Sequence, residues 1–219
     1  MNLAIFNGSP RNKKSNSKIL MEKFLEGFFK VSTAEVSTYF LANTKHLDEH
    51  VKAFKDAETV LIIFPLYTDC MPGIVKEFIE HISEQEAQSG KRVGFIVQSG
   101  FPEAIQSVSV ERYLKKLAER QKWDYLGTVI KGGVEGIQIM PPMMTKKLFL
   151  NFTELGSHFA ETGEFSQKII DELKKPYKLS AGRILFIKFG GLLGLTNFYW
   201  NSNLKKNNAF ENRFAKPYA

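Results

Sequence analysis

The sequence predicts an α/β fold, a doubly wound sheet of five parallel strands in the order 2-1-3-4-5 with additional helices at its C-terminal end. Apolar runs of strand length alternate with stretches of helical apolar spacing five times along the chain. The run Thr59-Val60-Leu61-Ile62-Ile63-Phe64 is apolar without alternation, the mark of a central strand buried on both faces. Three loops of unusual composition follow the first, third and fourth strands. In a sheet of this order those strand ends border the crevice where ligands bind. Right-handed crossovers leave few other topologies.

Each element has its own warrant. Asn2-Leu3-Ala4-Ile5-Phe6 is the first strand, and it breaks at Gly8-Ser9-Pro10. Helical spacing then runs through Ile19, Leu20, Phe24, Leu25 and Phe28. Residues Ala34 to Phe40 alternate as a second strand, and Asp48 to Ala57 form a short helix. After the central strand, Ile74, Val75, Phe78, Ile79 and Ile82 share one helix face. Arg92 to Gln98 is the fourth strand, and a helix with Ile105, Val108, Leu114, Leu117 and Ala118 facing inward follows it. Tyr125 to Ile130 is the fifth strand. Helices are expected from about Thr145 to Thr162 and from Ser166 to Lys174. Between them and the fifth strand, Lys131-Gly132-Gly133-Val134-Glu135-Gly136 is too rich in glycine for a strand and is expected to bend over the site.

The first loop, Asn7-Gly8-Ser9-Pro10-Arg11-Asn12-Lys13-Lys14-Ser15-Asn16-Ser17, holds hydroxyls, amides and cations that all donate hydrogen bonds. It opens into a helix N-terminus, whose unpaired N–H groups and positive dipole end favour an anion such as a phosphate. The same residues also suit plain helix capping by Asn16 or Ser17. The glycine spacings of the Walker and dinucleotide loops are absent, so a terminal phosphate fits better than a pyrophosphate. In the second loop, Pro65-Leu66-Tyr67-Thr68-Asp69-Cys70-Met71-Pro72-Gly73, the prolines restrict the backbone. Tyr67 and Met71 there offer faces to a flat ring. Cys70 near a helix N-terminus could be a nucleophile, but no histidine base accompanies it, and packing is the favoured reading. The third loop is Ser99-Gly100-Phe101-Pro102-Glu103, in which Glu103 either anchors the turn or complements the next helix dipole.

These three loops resemble those of the flavodoxin-like NAD(P)H-dependent FMN-binding oxidoreductases (the NADPH-dependent FMN reductase and quinone reductase superfamily). The resemblance runs over nearly the whole chain. It implies that Ser9, Arg11, Ser15, Asn16 and Ser17 hold the ribityl phosphate of FMN. It also implies that Pro65, Leu66, Tyr67, Thr68, Cys70 and Met71 flank the isoalloxazine ring, and that Ser99, Gly100, Phe101 and Glu103 face its pyrimidine side. NAD(P)H would deliver hydride to the flavin, and a quinone, nitro, azo or flavin compound would accept it, with no side chain serving as catalytic acid or base. The rival expectations are a flavodoxin-type electron carrier, which is usually acidic, and a non-catalytic phosphate-ligand sensor or scaffold.

Bulk properties narrow the setting. The 219 residues carry a net charge of +7 and one cysteine, which excludes an internal disulfide or a four-cysteine cluster. With no signal peptide recognisable, a cytoplasmic location is expected. His46, His50, His81 and His158 show no metal spacing, and His46 and His50 are expected to face solvent. The expected organisation is a flavin-binding domain over residues 1–175 and a basic extension over 176–219, packed on that domain or on a dimer partner. The extension holds seven basic residues against Glu211 alone, so the remainder is nearly neutral. Its stretch from Ile184 to Trp200 is apolar but interrupted by Gly190-Gly191, and shorter than the roughly twenty residues that span a membrane. A core or dimer-contact helix is expected there, hence a homodimer. An interfacial membrane helix is the weaker alternative, and no nucleic-acid partner is expected.

Overall fold

A computed structural model describes residues 2–83, 89–192, 194 and 197–216. The first of its two compact units, Met1–Lys178, is a five-stranded sheet in the order β2-β1-β3-β4-β5. The strands are β1 (Leu3–Asn7), β2 (Val36–Phe40), β3 (Thr59–Pro65), β4 (Arg92–Gln98) and β5 (Asp124–Lys131), all paired in parallel. Every residue of β3 is buried, as its unalternating apolar run requires. Because successive side chains point to opposite faces, the sheet feeds two cores. Ala4, Phe6, Val60, Ile62, Phe64, Phe95 and Val97 enter one, while Leu3, Ile5, Leu61, Ile63 and Ile96 enter the other.

The helices divide in the same way. The helices α2 (Leu47–Asp56), α3 (Gly73–Ser83) and α4 (Val108–Arg120) bury Val51, Phe54, Val75, Phe78, Val110 and Leu114 in the first core. The second core takes Leu20, Phe24 and Phe28 of α1 (Asn16–Val31) and Phe152, Leu155 and Phe159 of α5 (Pro142–Thr162). It also takes Ile170 and Leu173 of α6 (Gln167–Leu173). The helices α1 and α5 cross with their backbones almost touching. A Cβ on Gly27 would lie 1.7 Å from the Thr153 carbonyl oxygen, and one on Gly156 would lie 1.8 Å from that of Phe24. This crossing fixes the helix whose N-terminus enters the candidate site.

Three expectations need correction. His50 is 5% exposed, not solvent-facing, because it lies on the same inward stripe of α2 as Val51 and Phe54. Burial, with His46 as a second and smaller cause, pushes its imidazole below the ordinary range. The inward face of α4 is carried by Val110, Leu114 and Ala118, while Ile105 falls in a preceding 3₁₀ turn. The third concerns the second unit, Leu179–Ala219, where the apolar stretch forms two helices, α7 (Ala181–Leu192) and α8 (Phe198–Lys206). Gly190 and Gly191 lie within α7; each glycine costs a helix about 1 kcal/mol but does not end it. The break falls at Gly194, which adopts a φ of 73° that side chains resist. None of the described residues of α7 is buried, and Leu185, Phe186, Phe189 and Leu192 are strongly exposed. Leu193, Leu195 and Thr196, with the closing residues from Pro217, lie outside the described residues. No helix among those described is long and apolar enough to cross a membrane.

Candidate functional site

A cleft opens beyond the carboxyl ends of β1, β3 and β4, lined by Ser9, Arg11 and Asn16 from the first loop, Pro65, Leu66 and Tyr67 from the second, and Gln98, Ser99, Gly100 and Glu135. Three separate crossovers thus deliver their loops to one place. Its position at the switch between β1 and β3 is where parallel sheets of this order take ligands.

The first loop is organised by Asn7, the fully buried last residue of β1. Its Oδ1 accepts from the Ser9 N–H at 2.9 Å, and its Nδ2 donates to Ser15 Oγ at 3.2 Å. Ser15, and neither Asn16 nor Ser17, is the N-cap of α1, with its hydroxyl accepting from the Lys18 N–H at 3.2 Å. That cap takes the Lys18 N–H, while the N–H groups of Asn16 and Ser17 find no acceptor one turn back among the described residues, as at any helix start, and they remain available to an anion. Asn16 is engaged at both ends of its amide: Nδ2 donates to the Val134 carbonyl at 2.9 Å, and Oδ1 accepts from Gln138 Nε2 at 2.9 Å. Its side chain therefore anchors the connection after β5. Ser17 is buried, and its hydroxyl accepts from Gln98 Nε2 at 3.4 Å. At its start the loop packs closely on α3 and β3, since a Cβ on Gly8 would stand 2.2 Å from Val75 Cγ2 and 3.2 Å from Phe64 Cβ.

The second loop ends in a tight reversal. Thr68 and Asp69 both adopt left-handed backbone, with φ of 48° and 61°, and Tyr67 and Cys70 bond each other's N–H and carbonyl groups at 2.9 and 3.0 Å. Two consecutive positive φ values are those of a type I′ turn, which favours Asn and Gly; a β-branched threonine there is strained. Strain of this kind gathers where a loop must present something, and this turn presents Tyr67, 41% exposed, at the cleft. Thr68 and Cys70 are exposed on the turn outside the cleft lining, so the protein's own core does not pack the thiol. Met71 is buried in the core beneath.

The third loop is clamped by the connection after β5. The Ser99 N–H donates to the Lys131 carbonyl (2.9 Å), the Val134 N–H to Ser99 (2.9 Å) and the Gly133 N–H to Phe101 (2.7 Å). The glycines permit this contact: a Cβ on Gly132 would lie 2.6 Å from the Phe101 carbonyl oxygen. Phe101 and Glu103 lie outside the cleft lining, the former exposed and the latter preceding a 3₁₀ turn without a side-chain cap. Ser99 is 2% exposed, and its hydroxyl finds no hydrogen-bond partner among the described residues. A buried hydroxyl left in that condition costs about 1–3 kcal/mol, which a ligand in the cleft would relieve. Gln98 and Glu135 were missed in the sequence. A polar residue ending a buried strand was the available signal for Gln98, and the glycine-rich bend was the signal for Glu135.

The donor set suits a flavin mononucleotide: serine hydroxyls, a helix start and Arg11 at the end of β1, a tyrosine face after β3, and the orphaned Ser99 hydroxyl after β4. Fold and site together define a flavodoxin-like α/β protein with a phosphate-type loop. A family model described as NADPH-dependent FMN reductase matches residues 1–119, and the chain belongs to that family of NAD(P)H-dependent flavin oxidoreductases. Solved structures agree in fold. An FMN-dependent NADH-azoreductase from Bacillus anthracis, in complex with FMN, is 17% identical and aligns over 72% of this chain and 99% of its own, with a TM-score of 0.55. An NAD(P)H:quinone oxidoreductase from Methanothermobacter marburgensis is 13% identical over 72% of this chain and 96% of its own, with a TM-score of 0.57. An NADPH-quinone reductase from P. pentosaceus is 16% identical over 70% and 96%, with a TM-score of 0.54. No curated protein matches the chain significantly by sequence.

Proposed function

We propose that the protein passes hydride from NAD(P)H through bound FMN to a small acceptor of the quinone, nitro, azo or flavin type. The observation that carries this reading is the meeting of the three loops in one cleft, where Ser99, whose buried hydroxyl has no partner among the described residues, is part of the lining. When bound, FMN supplies the hydride chemistry, which the protein's side chains do not have. The chain's part is to bind and orient. Arg11, Ser9 and the first turn of α1 hold the phosphate through charge-assisted and neutral hydrogen bonds. Leu66 and Tyr67 support the ring, and the backbone at Ser99 and Gly100 sets its polar edge. No side chain need act as acid or base. The absence of pyrophosphate-type glycines favours FMN over FAD. The test is release of flavin from purified protein by denaturation. FMN in stoichiometric amount supports the reading, whereas FAD, or failure to take up added FMN, refutes it.

The apolar residues exposed on α7 form a patch of the kind that a second protein surface covers, and we assign it to a second copy of the chain. With one free, exposed thiol, the dimer suits the reducing cytoplasm.

A further inference from the structure

The cleft contains a carboxylate that the binding of an anion does not need. Glu135 lines it beside Arg11, Ser99 and Gly100. Arg11 Nη1 donates to Glu135 Oε1 at 3.4 Å, joining two loops 124 residues apart in sequence. The position is built. Val134, next to Glu135, is tied through its N–H to the Ser99 carbonyl and through its own carbonyl to the Asn16 amide, both at 2.9 Å. Gly100 leaves the room, since a Cβ there would stand 3.2 Å from Glu135 Cβ. The fold therefore brings a negative charge to the guanidinium that is the side-chain cation lining the cleft.

We propose that Glu135 is a specificity-determining residue, competing with the ligand's phosphate for Arg11 and lowering the affinity for phosphorylated flavin relative to its unphosphorylated form. This rests on the FMN reading above. Two anions share one cation, and a like charge beside the phosphate raises the cost of binding it. Arg11 and Glu135 are partly exposed, at 53% and 31%, so water and salt temper the competition. A pair of that exposure is worth up to about 1 kcal/mol, or roughly two- to fivefold in binding. The consequence is a narrower gap between the affinities for phosphorylated and unphosphorylated flavin.

The test titrates the full-length protein and its Glu135→Gln and Glu135→Ala variants with FMN and with riboflavin, at low and moderate salt. Both variants should bind FMN about two- to fivefold more tightly than wild type, with riboflavin unchanged. The gain should shrink as salt is added. A role confined to shaping the loop would move both flavins together and would not depend on salt. FMN affinity that is unchanged or lower in both variants, or a gain shared by riboflavin, overturns the inference while leaving the FMN reading intact. Wild-type protein that binds neither flavin overturns both.

Discussion

Replacing Ser99 with alanine should move stability and binding in opposite directions. The Ser99 hydroxyl is 2% exposed and lacks a partner among the described residues, while the residue's N–H and carbonyl are both tied to the connection after β5. The backbone is thus held by bonds that the substitution leaves in place. Removing the hydroxyl removes a desolvation penalty of about 1–3 kcal/mol, of which about 1 kcal/mol should be recovered after the small void left behind is counted. For a chain of this size that raises the melting temperature of flavin-free protein by about 2–4 °C. The same hydroxyl is available to the flavin, and losing one neutral hydrogen bond of about 0.5–1.5 kcal/mol should weaken FMN about two- to twelvefold. Thermal melts with and without saturating FMN, together with a fluorescence titration, measure both effects. A variant that melts lower without FMN and binds it as well as wild type does would refute the reasoning, for Ser99 would then be structural.

Other substitutions probe separate parts of the account. Arg11→Ala removes a charge-assisted bond to the phosphate which, discounted for exposure, is worth about 1–2 kcal/mol; FMN should bind roughly five- to thirtyfold more weakly while riboflavin is unaffected, and equal losses for both flavins would argue against a phosphate contact. Acid stability tests His50: its folded value lies below the ordinary 6.5, so the unfolded chain takes up the proton first. The stabilisation is complete above that pH and is lost as pH falls from it through the folded value; His50→Gln should flatten this part of the profile in denaturant titrations, and an unchanged profile would assign the acid sensitivity elsewhere. Light scattering should give a dimer for the full-length protein and a monomer for Phe186→Asp combined with Phe189→Asp, since both rings are exposed on α7. A wild-type monomer that sediments with anionic vesicles would replace the dimer with a membrane surface.

Much of the fold was legible because its signals are local. The unbroken apolar run of β3 and the inward stripes of α1 and α3 follow directly from period and burial. Handedness and the sequence of elements left few strand orders, and the flavodoxin-like order 2-1-3-4-5 that fitted the count is the one observed. What escaped depended on three-dimensional neighbours. His50 sits on a helix among polar residues, and only the packing of Val51 and Phe54 against the sheet turns it inward. Gly190 and Gly191 read as a break, yet the helix runs through them and yields at Gly194, where the backbone becomes left-handed. In the first loop the residue types were readable but their division of labour was not. Asn7 arranges the loop, Ser15 caps α1, and Asn16 spends its side chain on Val134 and Gln138. The part of Glu135 was hidden for the same reason, since its partner lies in the first loop.

The central claim, that this cleft holds a flavin which NAD(P)H reduces, is tested most directly by anaerobic titration of the FMN-loaded protein with NADPH and with NADH, followed by visible absorption. At least one of the two should bleach the bound flavin stoichiometrically, and adding a quinone should restore the oxidised spectrum. A protein that binds FMN but is reduced by neither nucleotide would contradict it, and would point instead to an electron carrier.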